Sequence, residues 1–369
     1  MNNKNLYLDL SVIQTVPSSN INRDDTGAPK TAFYGGVTRA RVSSQSWKKA
    51  MRDYFKKENE LVGTRTKEVA EYLAQKMQTL DDTLDKKTAM EKSVTALGAV
   101  GIKAKKDKTA GKMLTGALLL VSPGQIDKLA KYVLKHDDLT DKDAKKEIKQ
   151  ILKEDNSLDL ALFGRMVADN PELNVDASAQ VAHVISTHEI VPEYDYFTAL
   201  DDLQSNDTNG AAMLGTVEYD SATLYRYANV NIKDLAKNLG KTNAVQSIAA
   251  FIKAFILSMP TGKQNTFANK TLPNYVMLTL RTDTPVNLVS AFEEPVTSKN
   301  GYVEKSVRKL ERAYKSANNL VEEPLLNIVL SQVELPNDEQ FKQVEKLVEL
   351  IDQVTATLTK VMQDEDTND

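Results

Sequence analysis

The chain has 369 residues, a formal net charge of −4 at pH 7, 41% hydrophobic residues and no cysteine. This hydrophobic content argues against a disordered chain, and the missing cysteine excludes disulfides, cysteine-based zinc sites and thiol catalysis. Because no run of about 18 uncharged apolar residues occurs and no signal-like start is present, we expect no membrane segment and a cytoplasmic protein.

The first element is predicted to be a strand. Apolar residues alternate with polar ones from Leu6 to Val12, which is the period of a strand with one buried face. A polar, turn-rich loop follows up to Pro29. Within it we interpret Asp24 and Asp25 as a turn held by its own hydrogen bonds, because the spacing of an EF-hand Ca²⁺-binding loop is absent.

Positive charge is concentrated in the next segment. From Arg23 to Lys57 the sequence holds nine basic and three acidic residues, so the segment carries +6 in a chain of net −4. A single lysine is ordinarily a solvated surface residue, but a local cluster attracts polyanions even in an acidic protein. We therefore expect a nucleic-acid-binding surface here.

Two elements are predicted inside this segment before its helix. Gly35 and Gly36 permit a tight bend or a close backbone approach. The alternation in Val37–Val42 predicts a short strand, with Arg39 and Arg41 on one face.

A helix is predicted to follow, with Ser43 or Ser44 as its N-cap. Trp47 and other apolar residues recur at helical spacing and form a buried stripe. Lys48 and Lys49 are expected in the first turn, where the helix dipole disfavours a cation by about 0.3–1 kcal/mol. A chain tolerates this placement more readily when an anion binds at the same helix end, so we expect phosphate there.

Residues 67–155 are predicted to form several helices, because this part is rich in Lys, Glu, Ala and Leu. We expect breaks near 98–116 and at 122–124, where glycine and proline occur, and a mobile basic loop over 101–112. The last of these helices carries lysines on one flank, namely Lys145, Lys146, Lys149 and Lys153.

In the second half, aromatic and β-branched residues predict strands at 222–230 and 275–281. A largely buried helix is predicted between them at 245–257. The polar segment 201–210 is predicted to project as a loop or hairpin.

The C-terminal part is predicted to be helical at 305–318 and 339–362, with a frayed acidic tail. The resulting order of elements is strand, helix, long insertion, strand, helix, strand. This order fits an α+β sandwich in which helices cover one face of an antiparallel sheet, with a ferredoxin-like or RRM-like core.

No catalytic constellation emerges. His183 and His188 are five residues apart, whereas zinc on a helix requires histidines four apart, so we interpret both as structural. Because no P-loop, GxSxG or GxGxxG motif is present, we expect no enzyme, no metal and no cofactor.

Several blocks of the sequence match one known family. In the basic segment the matching residues are Asn22 to Asp25, Lys30, Gly35, Gly36, Arg39, Arg41, Ser43 to Gln45, Lys48, Lys49 and Arg52. Further blocks follow in family order up to Phe292, at 164–166, 182–188, 197–204, 214–216, 225–229 and 262–264. In these blocks the sequence resembles the CasC family, the repeated backbone subunit of the type I-E CRISPR Cascade complex. Little matches over 64–155 or in the C-terminal tail.

The resemblance implies an α+β fold built around an RRM-like (ferredoxin-like) palm at 1–59 and 181–295. A helical fingers insertion would occupy 60–180, and a thumb hairpin would lie at about 195–220. C-terminal helices with an acidic tail would occupy 296–369.

The resemblance also implies a function without catalysis. Copies would polymerise along a guide RNA (crRNA), bind its phosphates and display its bases for pairing with target DNA. The implied partners are crRNA, target DNA, neighbouring copies and other Cascade subunits, with no cofactor and no membrane.

Functional residues follow from the resemblance position by position. Those expected to bind RNA are Arg23, Lys30, Arg39, Arg41, Ser43, Gln45, Lys48, Lys49, Arg52, Arg165, Met166 and Lys263, with Arg39 and Arg41 either touching RNA or structural. Phe197 and Leu214 are expected in the thumb, and Lys145, Lys146, Lys149 and Lys153 are expected to contact DNA. Two departures are Trp47, where a smaller aliphatic is expected, and Lys49, which lacks the bidentate grip of the usual arginine.

Two other function classes remain open from sequence. The first is a ferredoxin-like endoribonuclease that processes guide RNA, with His183 or His188 as its acid or base and neither expected in the basic cluster. The second is a helical scaffold whose basic face is incidental.

Overall fold

A computed structural model describes residues 5–109, 111–167, 170–199, 213–334 and 338–366. The chain folds into two compact units. Unit 1 comprises Met1–Met51, Val181–Asn229 and Ile248–Asp369, and unit 2 comprises Arg52–Gln180 and Val230–Ser247. Both helices and strands are present, so the predicted α+β class is confirmed.

The elements are numbered in chain order. The strands are β1 (Tyr7–Ser19), β2 (Thr31–Tyr34), β3 (Val37–Val42), β4 (Thr64–Thr66), β5 (Ala104–Lys106), β6 (Met113–Thr115), β7 (Leu119–Val121), β8 (Ala179–Val181), β9 (Val184–Ser186), β10 (Glu193–Ala199), β11 (Met213–Asn231), β12 (Tyr275–Arg281), β13 (Leu326–Ser331) and β14 (Lys342–Val344). The helices are α1 (Ser44–Lys57), α2 (Val69–Leu80), α3 (Lys86–Ala99), α4 (Pro123–Lys135), α5 (Lys142–Lys153), α6 (Leu158–Phe163), α7 (Ile232–Leu239), α8 (Lys241–Leu257), α9 (Gln264–Phe267), α10 (Val303–Ala317) and α11 (Leu347–Asp366).

Unit 1 is built on a mixed sheet whose strands run in the order β14-β13-β12-β1-β11-β9-β3-β2. β13 and β14 pair in parallel, whereas β1 with β12, β9 with β11 and β3 with β9 pair antiparallel. Because β1 lies at the centre of this order, the first predicted strand becomes a core element rather than an edge.

Both faces of this sheet carry buried side chains. Tyr225 belongs to the apolar cluster that includes Val307 of α10. The next residue of the strand, Arg226, faces the opposite way and lies against Trp47 of α1 and Phe255 of α8. The expectation that helices cover only one face of an antiparallel sheet is therefore wrong.

Coverage of both faces also explains why β1 is not half-buried as predicted. Asp9 and Ser11, on its polar face, are buried. The Tyr227 hydroxyl donates a hydrogen bond to Asp9 Oδ1 at 2.6 Å, and Ser11 Oγ lies 3.3 Å from the Tyr225 hydroxyl. Polar residues on β1 are thus paired inside the core rather than exposed to water.

The C-terminal part departs from the predicted all-helical arrangement. The helix predicted at 305–318 is confirmed as α10, but α11 begins at Leu347 rather than at 339. Two strands that the sequence reasoning missed, β13 and β14, extend the main sheet beyond β12. The six residues of β13 are rich in Leu, Ile and Val, which is the composition that favours strands.

Unit 2 contains α2 to α5, which confirms the helices predicted over 67–155. The break predicted at 122–124 is the start of α4, where Ser122 and Gln125 form a reciprocal capping box and proline occupies the first turn. The stretch expected to be a mobile basic loop instead contains the antiparallel pair β5 and β6. Within the described ranges, no helix is long and apolar enough to cross a membrane.

Candidate nucleic-acid interface

The loop that carries Arg23 and Lys30 is fixed to the start of α1. The Ser43 amide donates a hydrogen bond to Asn22 Oδ1 at 2.8 Å. The Lys30 amide donates to the Asn22 carbonyl at 2.9 Å, and the Arg41 amide donates to the Lys30 carbonyl at 2.8 Å. Residues separated by about twenty positions are therefore held together in unit 1.

The turn predicted at Asp24 is confirmed. Asp24 Oδ1 accepts hydrogen bonds from the Thr26 hydroxyl at 2.7 Å, the Thr26 amide at 2.9 Å and the Ala28 amide at 3.1 Å. The hydroxyl bond, supported by the backbone amides, holds the pKa of Asp24 below its usual value. Asp24 therefore shapes the loop and keeps Arg23 exposed beside it.

Ser43 is the N-cap of α1. It precedes the first helical residue, and its hydroxyl oxygen accepts a hydrogen bond from the Ser46 amide at 3.3 Å. The hydroxyl oxygen of Ser43 therefore serves as the helix cap by accepting this hydrogen bond. The expected anion-binding role of Ser43 would use the hydroxyl hydrogen as a donor.

Lys48 and Lys49 lie one turn further into α1 than predicted. The helix begins at Ser44, so both follow its first turn, and the helix dipole acts mainly within that turn. Lys49 is exposed beside the exposed Gln45, whereas Lys48 is half-buried. Burial lowers the pKa of Lys48, and the adjacent Trp47 is fully buried beneath it.

Arg39 is structural, which corrects its place among the RNA-binding residues. It is 0% exposed. Its guanidinium donates to the carbonyls of Tyr34 at 3.1 Å, Ser186 at 2.9 Å and Phe292 at 2.8 Å. The predicted close approach at Gly35 is confirmed beside it, because a Cβ on Gly35 would lie 1.6 Å from the Glu293 carbonyl oxygen.

Arg41 is partly exposed and contacts His183. Its Nε donates to the Thr31 carbonyl at 2.9 Å, and its Nη1 lies 3.2 Å from His183 Nδ1. Burial lowers the pKa of His183, and the charges of Arg41 and Lys30 lower it further. Contrary to expectation, His183 therefore lies in the basic cluster.

His188 is a structural histidine, as predicted. Its Nε2 accepts a hydrogen bond from the Thr223 amide at 3.0 Å, which places the proton on Nδ1, 2.7 Å from the Glu189 carbonyl. The ring stacks on Tyr302 with centroids 3.7 Å apart. Both nitrogens are engaged, and burial lowers the pKa of His188.

A cavity of about 500 Å³ adjoins the loop. Its lining includes Arg23, Thr26 and Gly262. The next residue, Lys263, is partly exposed and has a left-handed backbone with φ of 51°. The predicted RNA-binding residues Arg23 and Lys263 therefore lie at or beside one concave surface of unit 1.

In the region where the thumb hairpin is predicted, β10 pairs antiparallel with β11. Phe197 lies opposite Gly215, and its ring covers that glycine, because a Cβ on Gly215 would lie 2.4 Å from the ring. Leu214 is opposite Thr198, on the other face of the hairpin. The projecting segment predicted at 201–210 lies outside the described residues.

Two tyrosines on this hairpin were missed by the sequence reasoning. Tyr194 and Tyr196 are 66% and 63% exposed and alternate with Phe197, so they share the face of Leu214. Their spacing of two positions, typical of side chains on one face of a strand, was the sequence signal that indicated both tyrosines.

In unit 2, Arg52 forms an ion pair rather than presenting an unpaired charge. Its Nε lies 2.6 Å from Oδ2 of the fully buried Asp159, and its Nη2 donates to the Gly63 carbonyl at 3.1 Å. The Asp159 carboxylate also accepts hydrogen bonds from the Gly63 amide and the Ser157 hydroxyl. The prediction that Arg52 binds RNA phosphate therefore has to be compatible with this ion pair.

Arg165 is also structural, whereas its neighbour is exposed. The Arg165 guanidinium donates to the carbonyls of Leu173, Leu120 and Leu152. Burial lowers the pKa of Arg165 to about 10. Met166 is 81% exposed, so of this predicted pair only Met166 is placed to touch a ligand.

The lysines of α5 are mostly available to solvent. Lys145, Lys146 and Lys153 are exposed, while Lys149 is half-buried and forms an ion pair with Glu172. No cluster of three or more histidine, aspartate or glutamate side chains able to hold a metal occurs in the part of the chain that the structure describes.

Comparison with known proteins identifies the family. The profile of the family described as "CT1975-like protein" matches residues 8–357. The chain belongs to this family. The chain is also similar to a protein solved in a "CRISPR RNA-guided surveillance complex, pre-nicking", with 31% identity, a TM-score of 0.85, and coverage of 95% of this chain and 100% of the other.

A second solved protein, from a "CRISPR RNA-guided surveillance complex", has 29% identity and a TM-score of 0.75, with coverage of 95% of this chain and 99% of the other. The comparison with curated proteins finds no match. The family and structural matches confirm the resemblance to the CasC family that the sequence blocks indicated.

Proposed function

We propose that this chain is a non-catalytic backbone subunit of a cytoplasmic CRISPR surveillance complex of the Cascade type. In this proposal it binds crRNA through phosphates, polymerises along it with neighbouring copies and displays the bases for target DNA. One observation carries the RNA-binding role: the hydrogen bond from Ser43 to Asn22 joins the loop of Arg23 and Lys30 to the start of α1. Basic side chains from separate segments thereby form one surface, which suits contact with a backbone of any sequence.

The domain roles form part of the same proposal. The sheet of unit 1 supplies the RRM-like palm, at 1–59 and 181–295, and the hairpin of β10 and β11 supplies the thumb. The helical part of 60–180 supplies the fingers. Residues 296–369 contribute α10 and α11 and also the strands β13 and β14.

The test is to purify the protein from cells that express a CRISPR array and to sequence any RNA that accompanies it. We expect guide RNAs of varied sequence, and binding of the purified protein to unrelated RNAs with similar affinity. Absence of RNA after purification, together with no affinity for RNA at low salt, would favour the scaffold class and contradict the proposal.

The endoribonuclease alternative is tested separately, because His183 lies in the basic cluster. An arginine can only donate, so Nδ1 of His183 accepts from Arg41. The remaining proton is then on Nε2, so the ring has no lone pair available for a general base, and Nε2–H leaves it only the role of a general acid. We expect precursor RNA to remain intact on incubation with the protein. Cleavage that His183→Ala abolishes would establish the enzymatic alternative.

A further inference from the structure

A lysine-rich hairpin in unit 2 lies outside every site described above. β5 and β6 pair antiparallel, with Ala104 opposite Thr115 and Lys106 opposite Met113. The connection is closed by hydrogen bonds from the Asp107 amide to the Lys112 carbonyl at 2.8 Å and from the Gly111 amide to the Asp107 carbonyl at 2.9 Å. We call residues 103–115 the lysine hairpin.

One side of the lysine hairpin is anchored to unit 2. Ala104 and Met113 pack against the apolar core of that unit. The Thr115 amide donates a hydrogen bond to the Lys67 carbonyl at 2.9 Å. The hairpin therefore presents its remaining side chains from a fixed base, and its four exposed lysines are Lys103, Lys105, Lys106 and Lys108.

The charge of the hairpin is not balanced locally. Residues 101–112 contain five lysines and one aspartate. Lys112 forms an ion pair with Glu68 at 2.8 Å, and a side-chain hydrogen bond to Glu68 raises the pKa of Lys112. Asp107 accepts from the Thr109 amide at 2.9 Å within the turn. In the described part of the chain, the four exposed lysines have no carboxylate partner.

The composition of the hairpin indicates which polyanion it fits. Lysines are compact point charges that suit phosphate groups without reading sequence. The stretch 101–118 contains no Phe, Tyr or Trp, whereas surfaces for unpaired bases use aromatic stacking platforms. A two-stranded ribbon also fits a groove about 12 Å wide, the size of the DNA major groove. These features favour a duplex over a single strand.

We propose that the lysine hairpin is a second nucleic-acid-binding surface, which takes the phosphodiester backbone of a duplex. It does not depend on the function proposed above, because it shares no residue with the surface formed by α1 and the loop of Arg23. The duplex has two possible sources, double-stranded DNA and a hybrid of guide RNA with target DNA.

The experiment compares two variants of the full chain that each lose four positive charges. The test variant replaces Lys103, Lys105, Lys106 and Lys108 by glutamine. The matched control replaces the exposed lysines Lys299, Lys342, Lys346 and Lys360 by glutamine. Each is titrated with duplex DNA, an RNA–DNA hybrid and single-stranded RNA over a salt series.

We expect the test variant to lose about tenfold or more in duplex affinity at low salt, and its salt slope to fall by about two, since each phosphate contact contributes about 0.9. Affinity for single-stranded RNA should stay the same, and the control should keep its duplex affinity. The arm with the larger loss, DNA or hybrid, identifies the source of the duplex.

Equal losses in the two variants would overturn the proposal, since total charge would then explain them. A loss confined to single-stranded RNA would also overturn it, because the hairpin would then belong to the guide-binding surface. If polyglutamate competes for the hairpin as well as duplex DNA does, the proposal is also overturned, because the ligand would then be an acidic protein rather than a nucleic acid. A third variant with arginine at the four positions should fold and retain duplex affinity, which separates lost charge from lost structure.

Discussion

The guanidinium of Arg226 lies 3.8 Å from the ring centre of Trp47 and 4.6 Å from that of Phe255. Arg226 donates hydrogen bonds to Gln14 Oε1 and to the Phe255 carbonyl. Among the described residues it has no carboxylate partner, and burial lowers the pKa of Arg226 to about 9. This cation, in contact with both aromatic rings, thus joins α1 and α8 to β11 beneath the predicted RNA-binding helix.

Arg226→Lys should lower the free energy of unfolding by about 1–3 kcal/mol, because an ammonium cannot stack as a plane and make both hydrogen bonds. Urea denaturation provides the measurement. Arg308→Lys is the control, since Arg308 is exposed and pairs with Glu304 one turn away, and its loss should stay within about 0.5 kcal/mol. Equal stability of the two variants would mean that Arg226 contributes no more than a surface arginine.

Lys48→Ala combined with Lys49→Ala should weaken RNA binding without unfolding the protein. The effect should be similar for RNAs of different sequence, and the salt slope should fall by about one unit or more, since each phosphate contributes about 0.7 on a single strand. Filter binding over a salt series measures both quantities. The control is Lys342→Ala with Lys346→Ala, which removes the same charge from exposed positions of unit 1. Unchanged affinity for RNA at low salt would contradict the proposal that α1 binds RNA phosphates.

Arg52→Ala should destabilise the protein by about 3–5 kcal/mol, because it leaves the buried Asp159 carboxylate without its counter-charge. Adding Asp159→Asn to the same variant should restore part of that loss. Lys56→Ala, at an exposed position one turn further along α1, should stay within about 0.5 kcal/mol. Thermal unfolding of the three variants distinguishes the roles, since a residue that only holds phosphate would leave the unfolding curve of the free protein unchanged.

Local pattern predicted much of this fold correctly. The strands β3 and β12 and the helices α1, α8 and α10 follow from alternation, helical spacing or residue composition that is confined to one segment. The Ser43 cap was predictable for the same reason, because it depends on the stereochemistry of a few neighbouring residues. Glycine at position 35 indicated a tight bend or a close backbone approach, but not that Glu293 is the residue that approaches it.

Which basic side chains are buried and which are exposed could not be predicted, because this depends on the order of the strands in the sheet. Alternation placed Arg39 and Arg41 on one face of β3, but it does not say that carbonyls of the distant residues Ser186 and Phe292 accept hydrogen bonds from Arg39. The pairing of Arg41 with Ile185 in β9 brings His183 within 3.2 Å of an arginine 142 residues away in sequence. Such contacts are set by tertiary structure alone.

The buried Asp9 should make stability depend on pH. Burial raises the pKa of Asp9 to about 6, although the Tyr227 hydroxyl, the Val286 amide and Arg281 favour its charged form. In the unfolded chain the pKa is near the usual value of about 3.9. The folded state therefore binds the proton more tightly, so this group lowers stability as pH rises from about 4 to about 6 and its penalty is complete above that range.

Asp9→Asn should remove this contribution. The free energy of unfolding of the unsubstituted protein, minus that of Asp9→Asn, should fall between about pH 4 and pH 6 and be level above. Urea denaturation at closely spaced pH values measures the difference, with Asp82→Asn at an exposed position as control. A difference that rises over this range would show that the Arg281 charge outweighs burial and that the pKa of Asp9 is lowered.

The hairpin of β10 and β11, which is the proposed thumb, can be tested through Gly215. The Phe197 ring occupies the space that a Cβ on Gly215 would need, so Gly215→Ala should displace the ring without removing it. We expect this variant and Phe197→Ala to impair assembly of many copies along RNA more than binding of one copy. The reason is that, in the proposed function, the thumb reaches the RNA held by a neighbouring copy. Loss of a stacking platform costs about 1–3 kcal/mol per base.

Nuclease footprinting of RNA covered by the protein provides the measurement. The unsubstituted protein should leave bases exposed at a regular interval. Gly215→Ala and Phe197→Ala should make this periodic exposure weaker or irregular, while the affinity of one copy for a short RNA stays within about threefold, or roughly 0.6 kcal/mol. Gly98→Ala serves as control, because the end of α3 has open space around Gly98 and helix propensity favours alanine there by about 1 kcal/mol. Tyr194→Ala tests the opposite face of the hairpin. If protection is uniform in every variant, the hairpin does not part the bases, and β10 with its exposed aromatic residues must serve another surface.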